Sequence, residues 1–267
     1  MTIIAIGSPA DNITAKYLSV FPDTTYVLAA GVYKYGILHS AAANKILLEL
    51  NDTLDFDIPK DMVSVTHDPV MILANLKLQP ERDMALKLAT HLYEHDIPFN
   101  VIAFLPFDFE GKSRKANAKL ALQYMSQYAR LIVPYDYQIL KEKKGTQLLG
   151  ETLDFMEMSA FYAMRTIHLY VDQYPTSNRG TLSKTGFAIS NTKMGALSEA
   201  LNDPFFESTL IEKDSKSLVV HVISSKAVEY SDTEILTNLS PYTSKTHIIR
   251  SIEPSLQFEF AVCVFSF

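Results

Sequence analysis

Glu110 stands beside Lys112, Arg114 and Lys115 in the stretch PFDFEGKSRKANAKLALQYM, residues 106–125. An apolar run, NVIAFLPF, passes through a short acidic turn into a helical pattern there. The first turn of a helix carries unpaired N–H groups and the positive end of the dipole, so cations at that place can hold an anion. The plainer alternative is that Glu110 only favours the helix start while the three cations form a solvated face. HLYEH, residues 91–95, matches the H-x-x-E-H zinc pattern, in which two imidazoles four residues apart share one metal. Leu88 and Leu92 mark the buried face of that helix, and Asp96 and Pro98 close it. His91 and His95 are therefore expected on the surface, with no metal. GSPADN (7–12) lacks the second glycine of a nucleophile elbow. Cys263 is the one cysteine and sits in the alternating run QFEFAVCVF, which predicts a buried strand residue with no internal disulfide.

Positioning these groups requires a core, and the chain can build one: it has 267 residues, of which 48% are hydrophobic and 20% charged. A formal charge of -6 argues against a general binder of nucleic-acid backbones. The basic clusters at 112–119 and at KEKK, 141–144, could each hold at most a local anion. No run of about 18 apolar residues is present, so no membrane insertion is expected. The start, MTIIAIGSPADN, has neither a basic region nor a cleavage pattern. A cytoplasmic location is the expectation.

Short apolar runs alternate with helical patterns up to about residue 173, as parallel βαβ units do. TIIAIG (2–7), TYVLAAG (25–31), DMVSVT (61–66), FNVIAFLPF (99–107) and RLIVP (130–134) read as strands. ERDMALKLATHLYEH and SRKANAKLALQYMSQYA read as helices. Leu153, Met156, Ala160, Ala163, Ile167 and Tyr170 recur at spacings of three and four, predicting a long helix over about 147–173. QYPTSNRGTLSKTG (173–186) reads as a linker. Beyond it, GFAIS, SLVVHVISS, THIIRSIE and QFEFAVCVFSF read as strands, with helices near TKMGALSEALND and DTEILTNLSPY. The expected fold is α/β: a Rossmann-like parallel-sheet domain of the nucleotide-binding type ending in a long helix (1–173), then a smaller α+β domain (174–267).

The segment PFDFEGKSR resembles the PF-x-FEG-x-x-R motif of the bacterial cell-division protein FtsZ, in the tubulin superfamily. IAIGSPADN is similar to that family's first loop and LIVPYDYQIL to its segment after the next strand. GFAISNTKMGALSEALNDPFFE, SLVVHVISS and FEFAVCVFSF resemble its C-terminal domain, so the likeness runs through nearly the whole chain in order. It implies a tubulin-like fold and a site for GTP or GDP. In that site Glu110 would contact the ribose and Arg114 the sugar and phosphates. Gly7, Ser8 and Asn12 would belong to the first phosphate-facing loop, and Asp136 would be retained from the family's Asn-Asp pair.

The departures bear on chemistry. The family's phosphate cradle is a run of glycines, whose backbone N–H groups approach an anion with no Cβ in the way. This chain has no glycine between Gly36 and Gly111. The expected equivalent is VTHDPVMILANLKLQPERDM, with His67-Asp68-Pro69 after the strand and then bulky Met71, Ile72 and Leu73. In the first loop Pro9 has no N–H and Asp11 adds negative charge. One like charge at about 4 Å costs roughly 4 kcal/mol at an effective dielectric near 20, or about three decades of affinity. Tyr135 replaces the family's Asn, and its guanine-reading acid or amide falls near Ser159 or Ala160. Residues 173–198, where the family carries acids for hydrolysis, contain no Asp or Glu.

The sequence thus predicts a divergent FtsZ-like protein that does not hydrolyse GTP and holds no cofactor. It would act through contacts with itself or with a filament protein of the same kind, in a cytoskeletal or cell-division setting. Two alternatives stand beside it: a GTP-binding, polymer-forming protein with a remodelled site, and a small-molecule or anion binder using Glu110, Arg114 and Asp136.

Overall fold

Five consecutive residues with no polar face, Thr2–Ile6, form strand β1, and all five are buried, as a strand covered on both sides of a parallel sheet must be. In the computed structural model, residues 2–20, 26–30, 45–48, 70–143, 149–173, 181–207, 217–228, 231–243 and 245–266 are described. After β1 come helix α1 (Ala10–Val20) and strands β2 (Tyr26–Ala30), β3 (Lys45–Leu48) and β4 (Val70–Asn75). Helix α2 (Gln79–Glu94) leads to β5 (Phe99–Leu105), a 3-10 turn at Asp108–Glu110 and α3 (Lys112–Met125). Strand β6 (Leu131–Asp136) runs straight into α4 (Tyr137–Lys143), and the long helix α5 covers Leu149–Gln173.

These strands and the short β7 (Thr181–Leu182) make one sheet in the order β3-β2-β1-β4-β5-β6-β7. The pairs from β3 through β6 are parallel. The chain winds outward from β1 to β3, then returns to place β4 on the other flank of β1. That reversal is a topological switch point, and ligands of open α/β sheets lie outside the strand carboxyl ends at such a point.

The second sheet has the order β10-β9-β11-β8, from β8 (Lys184–Ser190), β9 (Leu218–Ser224), β10 (Thr246–Ile252) and β11 (Phe260–Ser266). Strands β9 and β10 are parallel, while β11 is antiparallel to β8 and β9. Helices α6 (Lys193–Leu201), α7 (Pro204–Glu207) and α8 (Thr233–Leu239) complete this part. The Thr192 side chain caps α6 by accepting from the Gly195 N–H at 3.1 Å. Its core joins Leu197, Val220, Val262, Ile235 and Leu239. Cys263 is fully buried, and burial pushes its thiol up to about 12, so it is no nucleophile at neutral pH. His221 is enclosed between the hydroxyls of Thr166 and Ser251. Burial, with Arg165 nearby, pushes it down to about 3, and it stays neutral.

The chain divides into two compact units, Met1–Phe161 with Thr176–Thr181, and Tyr162–Pro175 with Leu182–Phe267. The architecture is the α/β arrangement that the alternating pattern predicts. Two local readings need correction. The strand read at 61–66 lies outside the described residues, and the strand between β1 and β5 is VMILAN, residues 70–75. Met71, Ile72 and Leu73, expected in the phosphate loop, are instead sheet core at 1% exposure or less. A continuous apolar run is what a doubly covered strand needs. Of the linker 173–186, residues 174–180 lie outside the described residues, but Thr181–Leu182 and Lys184–Ser190 are strands. Gly186 is there because the Ala200 carbonyl oxygen would lie 2.0 Å from a Cβ.

Candidate functional site

The backbone ends β1 at Ile6 and turns at Gly7, whose φ of 81° favours glycine. Helix α1 starts three residues later and carries Asp11 and Asn12 in its first turn. On the neighbouring strand, Asn75 ends β4, and its side-chain oxygen accepts from the Lys77 N–H at 3.2 Å, setting the turn into α2. Pro80 suits the start of α2, since the first N–H groups there have no helical partner. A cleft of about 550 Å³ opens between these turns, lined by Ser8, Asp11, Asn12, Asn75, Lys77, Leu78, Glu81 and Glu110.

Its charge is acidic: three carboxyl groups, from Asp11, Glu81 and Glu110, face one ammonium, Lys77. Glu81 is 1% exposed, and its Oε2 atom has no hydrogen-bond partner. Its carboxyl packs so closely on Gly7 that a Cβ there would lie 2.5 Å from it. Burial, then the charge of Asp11, push Glu81 up to about 7; Asn75 and Lys77 oppose the rise. Burial likewise pushes Asp11 up to about 6.

Lys77 is already engaged. Its ammonium lies 3.8 Å from Glu110 Oε2 and 3.9 Å from the centre of the Tyr137 ring, with Phe107 at 5.4 Å. Burial lowers its pKa, and Glu110 and Glu81 offset part of that. Glu110 Oε2 also accepts from the Phe107 N–H at 2.8 Å, which fixes the 3-10 turn. The pieces that could attract an anion are therefore spent on neighbours, and the N-terminal turn of α2 carries its own carboxyl, Glu81.

Of the residues singled out in the sequence, Ser8, Asn12 and Glu110 line the cleft, and Gly7 forms its floor against Glu81. Arg114 and Asp136 do not line it. Arg114 is exposed on α3. Asp136 is 4% exposed, accepts from the Gln138 N–H at 3.0 Å and lies 3.4 Å from Lys115. Asn12 donates to Glu157 at 3.3 Å, and Lys16 pairs with the same carboxylate at 2.7 Å. At the positions that the resemblance assigns to base reading, the Tyr135 and Ser159 hydroxyls bond each other at 3.1 Å, both residues fully buried. The His91 and His95 rings lie with centres 4.1 Å apart and planes inclined at 40°, and His95 Nδ1 meets the His91 carbonyl at 2.8 Å. Asn75, Lys77, Leu78 and Glu81 are the lining residues that the sequence reading missed. The signal was LKLQPE: a proline and an acid opening a helix directly after a six-residue apolar run.

Neither a protein-family model nor a curated protein matches the sequence. Solved structures do match the fold. An FtsZ dimer from M. jannaschii superposes with a TM-score of 0.77 at 16% identity, covering 99% of this chain and 87% of that one. A CetZ from Methanosaeta thermophila gives 0.73 at 13% identity, over 100% and 85%. CetZ2 from Haloferax volcanii, solved as a GTPγS-bound protofilament, gives 0.70 at 13% identity, over 99% and 92%. The chain has the FtsZ/tubulin fold.

Proposed function

From that fold and its acidic cleft, we propose that the chain is a non-hydrolysing relative of the FtsZ-like proteins, working in the cytoplasm through protein contacts. Its partner is a second copy of itself or a filament protein of the same fold, in a cytoskeletal or cell-division setting. Residues 1–173 supply the GTPase-type half in this reading and residues 174–267 the C-terminal half. Support for assembly comes from neighbours solved as a dimer and as a protofilament.

Glu81 is the observation that carries the loss of hydrolysis. A triphosphate needs unpaired N–H groups and positive charge at the turns after β1 and β4. Here a buried carboxyl sits in that place, backed by Asp11, with Lys77 held by Glu110 and Tyr137. At the positions that the resemblance gives to base recognition, Tyr135 and Ser159 bond each other. Competing with this is a GTP-binding polymer with a remodelled site, favoured by Glu110, Ser8 and Asn12 still lining one cleft. Light scattering and electron microscopy with and without GTP separate the two. Assembly that ignores nucleotide supports protein-contact function. Polymers that form only with GTP and dissolve as it is hydrolysed would replace it with the second reading.

A further inference from the structure

The acidic cleft suits a ligand of opposite charge from a nucleotide. We propose that it binds a small organic cation, a protonated amine or guanidinium, whose charged head lies between Asp11 and Glu81 with Glu110 at the rim. The proposal stands independently of the assembly reading. Two separate observations carry it. Three carboxyl groups from α1, α2 and the 3-10 turn face one cavity against a single ammonium, Lys77. Glu81, 1% exposed, brings to that cavity a carboxylate oxygen with no hydrogen-bond partner, and natural structures pair such atoms.

Size and donor arrangement select the ligand class. About 550 Å³ is the volume of a small-molecule site, far more than a bare ion fills. Among the described residues no three acid, histidine or cysteine side chains converge to hold a metal. Ser8 and Asn75 offer further polar contacts and Leu78 an apolar wall for the body of the ligand. The groups facing Glu81 are Asp11 from α1, Lys77 from the turn after β4 and Glu110 from the 3-10 turn. As Glu81 and Asp11, pushed up to about 7 and about 6, lose their protons, the attraction grows, so binding tightens as pH rises from about 5.5 to 8.

Calorimetric titration of the full chain with agmatine and with spermidine, at low salt, tests this. The expected result is one-to-one binding below about 1 mM that strengthens with pH. It should weaken at least about tenfold in both Glu81→Gln and Asp11→Asn and stay unchanged in Glu259→Gln, a surface carboxylate of the second sheet. Either cleft variant suffices if the other does not fold. Absence of amine binding, binding that survives both cleft substitutions, or equal loss in Glu259→Gln would overturn the proposal. Stoichiometric magnesium binding lost in Glu81→Gln would overturn it as well, in favour of a metal site.

Discussion

Burying a carboxyl against a glycine makes the fold sensitive to its proton. Glu81 has an ordinary value of 4.5 and is pushed up to about 7 in the folded chain, mainly by burial and then by Asp11. A raised folded value means that the native state binds the proton more tightly than the unfolded chain. Stability from this group is therefore complete below about 4.5 and is lost as pH climbs through about 7. The upper bound is about 3 kcal/mol. Glu81→Gln keeps the shape and removes the charge. Urea unfolding should find the variant more stable by about 1–3 kcal/mol at pH 8 and little changed at pH 4.5. A variant less stable at pH 8 would show that the carboxylate is matched by a partner. Gly7 meets the same carboxyl from the other side, and at φ 81° it also suits only glycine. Gly7→Ala should cost about 1–3 kcal/mol in the same unfolding experiment, and Glu81→Ala should relieve only the part due to contact. Full rescue by the double change would mean that the backbone carries no strain.

The 3-10 turn and the start of α3 act as one element, because Lys115 reaches Asp108 at 2.5 Å and the buried Asp136 at 3.4 Å. Burial alone would lower the Lys115 pKa, but the two carboxylates outweigh it and raise it. Removing that ammonium takes away the cation that pairs with the buried Asp136. Lys115→Ala should destabilise by about 1–3 kcal/mol, whereas Arg114→Ala, exposed one residue earlier, should stay within about 0.5 kcal/mol. Thermal melts of the two variants side by side check this, and equal effects would contradict it. The sequence showed the stretch and its Glu110 because strand, turn and helix each announce themselves locally. It did not show which of the three cations would turn inward, since that depends on β6 and Asp136 lying alongside. The same cause hid Glu81. Its position follows from β4 being VMILAN, a run that the sequence reading places in the phosphate loop. Once β4 is placed, PE at the start of α2 falls at the switch point, and the cleft's acidity follows.

The order of segments along the chain was enough to indicate an FtsZ/tubulin fold, because each segment carried a fragment of pattern in the right place. Identities of 11–16% to solved neighbours show how little of the sequence that fold requires. What a fold leaves open is the site. In the proposed reading, the loops that would wrap a nucleotide carry other chemistry: Pro9 and Asp11 after β1, Leu76–Leu78 and Glu81 after β4, and the bonded pair of Tyr135 and Ser159 beyond β5. That the chain acts through protein contacts and that its cleft takes no nucleotide is what we propose, and calorimetric titration with GTP and GDP in magnesium buffer, with phosphate release followed on the same sample, tests it most directly. The account predicts binding no tighter than about 1 mM for either nucleotide and no release above the buffer rate. Micromolar, guanine-selective binding, with turnover that disappears in Glu110→Ala, would contradict it.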